Sequence, residues 1–199
     1  DPDVVSAGIE AALDGLGDAW RFETISHKFH ACCHGLHAGL EAVLNLRDQV
    51  DPATVDAIEI TTHPRWLSVC NIAEPSTGLE AKFSYRLTAA MVLSGVDTGA
   101  MESFSDAICA RPDIVTLRNK VRVVADEAVL ETASKVLIRV GNDSHEMAFD
   151  LNAPISLPER SAKLEVKAQA LIGTERAADL QRIVADVPDI KALSRMIMG

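Results

Sequence analysis

The chain has 199 residues, 48% of them hydrophobic and 24% charged, a balance that gives a globular protein with room for one domain or two small ones. Its formal net charge of -10 and the lack of any basic stripe argue against a nucleic-acid partner, which would need clustered Lys and Arg to release phosphate counterions. No uninterrupted apolar run approaches the roughly 20 residues that cross a bilayer, and no charged segment followed by an apolar one opens the chain, so no membrane partner is expected and the protein reads as cytoplasmic.

The chain opens "DPDVV" without a methionine, and its first twenty residues read as the tail of something longer. Residues 4–16, "VVSAGIEAALDGL", carry apolar positions at helical spacing and run into Gly15 and Gly17, which predicts a short helix. "WRFETISHKF" then reads as an extended connection. From Ala31 to Leu46 the positions Cys33, Leu36, Leu40, Val43 and Leu44 line one stripe, predicting an amphipathic helix. "VDAIEITT", rich in β-branched residues, predicts a strand, and "NIAEPSTG" a loop.

The stretch "LEAKFSYRLTAAMVLSG" is dense in helix formers and stops at Gly95, which predicts one buried helix. Short helices are expected near "TGAMESF" and "PDIVTLRN", then strands at "KVRVVAD", "SKVLIRV" and "HEMAFDL". Gly141, Asn142 and Asp143 separate the last two runs and predict a hairpin. After "NAPISLPERS" three helices are expected, "AKLEVKAQALIG", "TERAADLQRIVADV" with Thr174 as its cap, and "PDIKALSRMIMG" with Pro188 at its start. Strands in the middle and helices at both ends indicate an α+β fold, a mainly antiparallel sheet with helices on one face.

The segment "HKFHACCHGLH", residues 27–37, holds four of the six histidines and two of the four cysteines. The thiols lack C-x-x-C spacing and are expected to be free, with Cys32 and Cys33 acting as small apolar fillers. His27, His30, His34 and His37, spaced three, four and three, would share one face of a continuous helix, yet four contiguous imidazoles on one helix do not close a tetrahedron, so no metal is expected. For His27 and His34 a solvated or hydrogen-bonded side chain is the plainer reading. Lys28 ahead of a helix suits a carboxylate, and His37 further in suits proton transfer near neutral pH.

These residues carry a resemblance. "KFHACCHGLHAGLEAV" is similar to a segment of the MmgE/PrpD family in which a lysine and an aromatic precede a cysteine pair, a histidine and a helix of small residues. "GLEAKFSYRLTAAMVLSGVDT" resembles that family's "AKFS" helix, and the following order of strand, hairpin and C-terminal helices fits as well. The family contains 2-methylcitrate dehydratase, cis-aconitate decarboxylase and iminodisuccinate epimerase. The resemblance implies an upstream helical domain of which residues 1–22 are the tail, an α+β domain over 23–156, and C-terminal helices over 157–199 that return to the helical domain. It places the active site in the cleft between domains, and family members are commonly homodimers.

Carried over residue by residue, the resemblance makes Lys28 the motif lysine, His37 the motif histidine and Ser84 the motif serine. Cys33 lies where decarboxylase-type members carry a histidine. Arg86 and Leu87 fall where many members have Pro and Tyr, with Tyr85 displaced from the family tyrosine. Reactions of these enzymes place negative charge next to a carboxylate of a small polycarboxylic acid, which calls for cations, a base matched to working pH and preorganised donors. Lys28 and Arg86, facing one pocket, are the expected cations, although Arg86 has a salt bridge to Glu80 as its alternative. His37 and then His30 are the acid–base candidates, Ser84 a donor, and Cys33, Tyr85 and Lys82 further candidates. The expected activity is a 2-methylcitrate dehydratase-type lyase without metal or organic cofactor, with an epimerase, a decarboxylase or a non-catalytic α+β binding module as alternatives. No GxGxxG or P-loop spacing supplies a nucleotide site.

Overall fold

The structure, a computed structural model, describes residues 8–9, 11–18, 25–186 and 190–198. Of the expected first helix, residues 8–9 and 11–13 are helical and 14–18 turn, while 4–7 and 10 lie outside the described residues. So do residues 20–24 of the expected extended connection and Pro188.

Four strands form one sheet in the order β2-β1-β3-β4: β1 Ala57–Thr62, β2 Val121–Ala125, β3 Ala133–Val140 and β4 Asp143–Asp150. The central β1 pairs antiparallel with β3, placing Ile60 opposite Val136, and parallel with β2, placing Ile60 opposite Val123. A parallel pair needs a long crossover, and residues 63–120 supply it. The β3–β4 hairpin closes through Gly141 and Asn142, with Gly141 at φ 58, a backbone that glycine adopts without strain. Two of the three pairings are antiparallel, as the α+β reading expects.

Helices α1 His37–Arg47, α2 Pro64–Leu67, α3 Gly78–Ala81, α4 Tyr85–Leu93, α5 Asp106–Ala110 and α6 Pro112–Arg118 surround or follow the sheet, and α7 Leu157–Ile172, α8 Thr174–Asp186 and α9 Ile190–Met198 end the chain. Ile58, Ile60, Val136 and Ile138 are buried on one sheet face, against which α1 and α4 pack. Glu59 and Arg122 pair across the other face at 3.8 Å. Every residue of α4 except Arg86 is buried, the signature of a helix apolar all round.

Four element boundaries differ from the sequence expectation. The helix expected from Ala31 starts as a 3-10 turn at His34–Leu36 and becomes α-helical at His37, because the Ala31 and Cys33 N–H groups donate to Thr98 and Lys82 carbonyls instead. The single helix expected over 79–95 is two, since Ser84 turns out of line to cap α4 by accepting the Leu87 N–H at 3.1 Å. No helix forms over 98–104, where the Asp97 carboxylate takes the Gly99 N–H at 2.7 Å and competes with helical bonding. Finally, α7 begins at Leu157, five residues before the predicted start, because Ser156 caps it and Pro158 sits harmlessly in the first turn.

Candidate active site

The histidine segment is gripped from several sides. Its backbone is tied to Thr98 at 2.8 Å and to Lys82 at 3.0 Å, and the Tyr85 hydroxyl donates to the Gly35 carbonyl at 2.5 Å. A Cβ at Gly35 would stand 2.4 Å from the Trp66 ring, so only glycine lets the turn lie under that indole. Trp66 is itself held by its Nε1–H, which donates to the Glu131 carbonyl at 2.7 Å. Tyr85 also meets the Thr62 hydroxyl at 3.1 Å, and burial pushes its phenol above the ordinary value. It is a strut of the core rather than a group at an open cleft.

Three of the histidines come together without sharing a helix face. The His37 ring lies 5.0 Å from His30, edge to face, and 5.0 Å from His34. His37 is 0% exposed, and among the described residues its ring nitrogens meet only the Cys32 backbone, too loosely for a well-formed hydrogen bond. Burial, together with the neighbouring His30 and His34, drives its pKa down to about 3, so it is a neutral imidazole at physiological pH. His34 is partly exposed, close to the Ser26 hydroxyl at 3.4 Å, and is lowered by burial and by Lys28. His27 is half-buried and stands outside this trio, its ring 6.4 Å from Phe29.

His30 sits differently. Its Nδ1 lies 2.8 Å from the Thr98 hydroxyl and its Nε2 3.5 Å from Glu41 Oε1, too loosely aligned for a hydrogen bond but within ion-pair range. The other Glu41 oxygen accepts from Lys163 of α7 at 2.6 Å. Burial alone would raise the Glu41 carboxyl, but His30 and Lys163 outweigh it and hold the group below the usual range. Thr98, His30, Glu41, Lys163 and Lys167 all line a cavity of about 450 Å³, a size suited to a small organic acid.

Lys167 lines this cavity, and two further lysines that do not line it, Lys28 and Lys82, lie close enough to act on Lys167 electrostatically. Lys28, Lys167 and Lys82 all act on the buried Cys32 thiol, whose pKa is nonetheless pushed up to about 12 by burial and by Cys33. Lys167 donates to the Gly99 carbonyl at 2.7 Å, and its own pKa is lowered first by burial, with Lys28 and Lys82 adding to the effect. Lys28 reaches the Cys32 carbonyl at 3.4 Å, and Lys82 lies over the Phe104 ring at 5.7 Å. Positive charges gathered in this way make a local field that attracts an anion.

The expected partnership of Lys28 with Arg86 is not the one the fold builds. Arg86 is the second residue of α4, its Nε is buried without a hydrogen-bond partner among the described residues, and neither it nor Lys28 lines the cavity. Nor is it bonded to Glu80, whose carboxylate closes the capping box of α3 on Ser76 and Thr77. Ser84 is fully buried with its hydroxyl engaged as a helix cap. Cys33 is half-buried and lies beside the buried Cys70 thiol, whose pKa is raised first by burial and then by Cys33. Among the described residues no three His, Cys, Asp or Glu side chains form a metal-ligand set.

Sequence reasoning missed Thr98, Glu41, Lys163 and Lys167. Glu41 had a signal: it falls four residues after His37, in phase with Leu40 and Leu44, where a charged side chain must be buried and partnered. Lys163 and Lys167, one turn apart, look like any solvated pair on an exposed helix. Thr98 had none.

Fold and site together define an α+β domain that gathers lysines and a carboxylate-paired histidine around a cavity of metabolite size. The chain belongs to the MmgE/PrpD family: the MmgE/PrpD C-terminal domain matches residues 30–189, a stretch running from His30 through α7 and α8. That family includes lyases and related enzymes. No curated protein matches the chain. Among the described residues no helix is long and apolar enough to cross a membrane.

Proposed function

We propose that this chain is the C-terminal portion of an MmgE/PrpD enzyme acting on a small polycarboxylic acid, a 2-methylcitrate dehydratase-type hydro-lyase within a longer, cytoplasmic, homodimeric protein. The observation that carries the reading is His30: a buried imidazole on the wall of a cavity of about 450 Å³, faced by a carboxylate and sharing that wall with Lys163 and Lys167. Lys167 binds a substrate carboxylate, with Lys28 and Lys82 adding to the positive field that they already exert on Lys167, which lowers the cost of placing a second negative charge on the neighbouring carbon. His30 moves the proton from that carbon to the departing hydroxyl, so that the C–H and C–O bonds break, a C=C bond forms and water leaves.

His37, the first candidate from sequence, takes a supporting part. Held neutral behind His30, it adds no positive charge that would oppose proton uptake there. Ser84 and Tyr85 serve the fold, and Arg86 lies outside the cavity, so none of the three enters the scheme. Dehydration is favoured over decarboxylation because Cys33 stands where the resemblance gives decarboxylases a histidine.

The test is turnover by the whole protein of 2-methylcitrate, citrate, cis-aconitate and iminodisuccinate, followed by absorbance of the new double bond or by NMR. His30→Ala is expected to lower kcat on the preferred acid by about a hundredfold or more, and Lys28→Ala and Lys167→Ala to raise KM. Unchanged turnover in His30→Ala and Lys28→Ala would leave a non-catalytic binding domain as the better reading.

A further inference from the structure

Both ring nitrogens of His30 face protein groups, Nδ1 in a hydrogen bond and Nε2 within ion-pair range of a carboxylate. Nδ1 faces the Thr98 hydroxyl at 2.8 Å and Nε2 faces Glu41 at 3.5 Å. An imidazole between a carboxylate and a hydroxyl is the order of a hydroxyl–imidazole–carboxylate relay, recognised by geometry rather than by chain position. We propose that Thr98 is the group that exchanges the proton with the substrate, with His30 behind it and Glu41 as a positioning residue that steadies the charged form of the ring. The proposal deepens the functional reading above and rests on it.

Each part of the arrangement has a reason to hold still. Thr98, His30 and Glu41 are each 4% exposed, and all three line the same cavity. The Thr98 carbonyl is anchored by the Ala31 N–H at 2.8 Å, one residue from His30, so hydroxyl and ring are tied through the backbone as well. Next to it Asp97 is engaged with the Gly99 N–H and does not compete for the ring. Lys163 occupies Glu41 Oε2 at 2.6 Å, which leaves Oε1 for His30 and makes the carboxylate a poor proton acceptor in its own right. Thr98 is the uncharged member of the row and the one whose oxygen both donates and accepts.

The proton count closes. As the substrate C–H proton passes to Thr98 Oγ1, the threonine proton passes to His30 Nδ1, and the imidazolium so formed lies against Glu41. On the return, the proton leaves Nδ1, Thr98 hands its own to the departing hydroxyl oxygen, and water is released with the relay in its starting state.

The experiment compares Thr98→Val, Thr98→Ser, Glu41→Gln and His30→Ala in the whole protein, on whichever of 2-methylcitrate, citrate, cis-aconitate and iminodisuccinate the wild type turns over best. Thr98→Val keeps the shape and removes the hydroxyl; kcat is expected to fall by about a hundredfold with KM within about twofold of wild type. Thr98→Ser restores the hydroxyl and is expected to stay within about threefold of wild type, a rescue that a packing role would not require. Glu41→Gln is expected to lower kcat about tenfold at unchanged KM. Should Thr98→Val fail to fold by circular dichroism, Thr98→Ala takes its place. An active Thr98→Val beside an inactive His30→Ala overturns the relay alone, whereas wild-type protein inert on all four acids overturns the functional reading and the relay with it.

Discussion

Two helices of this chain are attached in opposite ways. In α4 all residues but Arg86 are buried, whereas α7, 16 residues long, has none buried. What fastens α7 to the sheet domain is polar: Lys163 on Glu41, Lys167 on the Gly99 carbonyl, and the Lys163 ammonium over Phe29 at 5.2 Å and over Phe149 at 5.8 Å. Meanwhile Leu157 and Leu171 of the same helix face outward. Burial is non-directional and tolerates small shifts, but a few charged hydrogen bonds specify one placement. The cavity wall is built from the second kind of attachment, which is why the candidate site lies between the two regions.

Leucine truncation in each helix should break the comparison most visibly. Leu87→Ala removes a fully buried side chain and is expected to cost about 2–5 kcal/mol, while Leu171→Ala, at a site 48% exposed, should stay within about 0.5 kcal/mol. Urea unfolding curves of the two variants measure the gap. Equal costs would mean that α7 is as deeply packed as α4.

Acid sharpens the contrast from another side. His37 has its pKa depressed from 6.5 to about 3, so the unfolded chain binds the proton first and stability falls as pH drops below 6.5. The loss is expected to reach about 2 kcal/mol by pH 5, read from thermal or urea midpoints between pH 7.5 and 5. Glu41, whose pKa is also held down, adds a loss of the same sign at lower pH, below its ordinary 4.5. His37→Leu should flatten the first part of this slope and leave the second.

Cutting the tether tests the other half. Lys163→Met keeps the stem over Phe29 and Phe149 but leaves the buried Glu41 charge without its closest partner. A stability loss of about 1–3 kcal/mol is expected. Hydrogen exchange should show faster amides in Leu157–Ile172 and unchanged protection in Tyr85–Leu93.

The same division explains what could be read from the chain beforehand. The sheet, its hairpin and α4 were legible because alternation, turn residues and apolar density are local signals, visible within a dozen residues. The histidine trio was half legible: composition flagged the segment, but the backbone bonds from Ala31 and Cys33 to Thr98 and Lys82 cross long gaps in sequence and decide where the helix starts. Cations were the least legible part. Lys28 and Lys82 act on Lys167 of a distant helix, and the lysines that line the cavity, Lys163 and Lys167, come from that helix and not from the motif segments. Local pattern determines which residues fold into an element, and tertiary packing determines which charges meet.

The finest test lies in the helix caps. Ser84 and Ser156 do the same job, each accepting an N–H in the first turn of its helix, at 3.1 Å from Leu87 and 3.3 Å from Glu159. Around Ser84 everything is buried, so Ser84→Ala leaves the Leu87 N–H without water or protein to replace the hydroxyl, and about 1–2 kcal/mol is expected. Ser156 is exposed, water takes over its bond, and Ser156→Ala should cost about 0.5 kcal/mol. If both caps cost the same, the surroundings of α4 and α7 would differ less in their access to water than the buried and exposed side chains indicate, and the polar tether would have to be reckoned as part of a shared core.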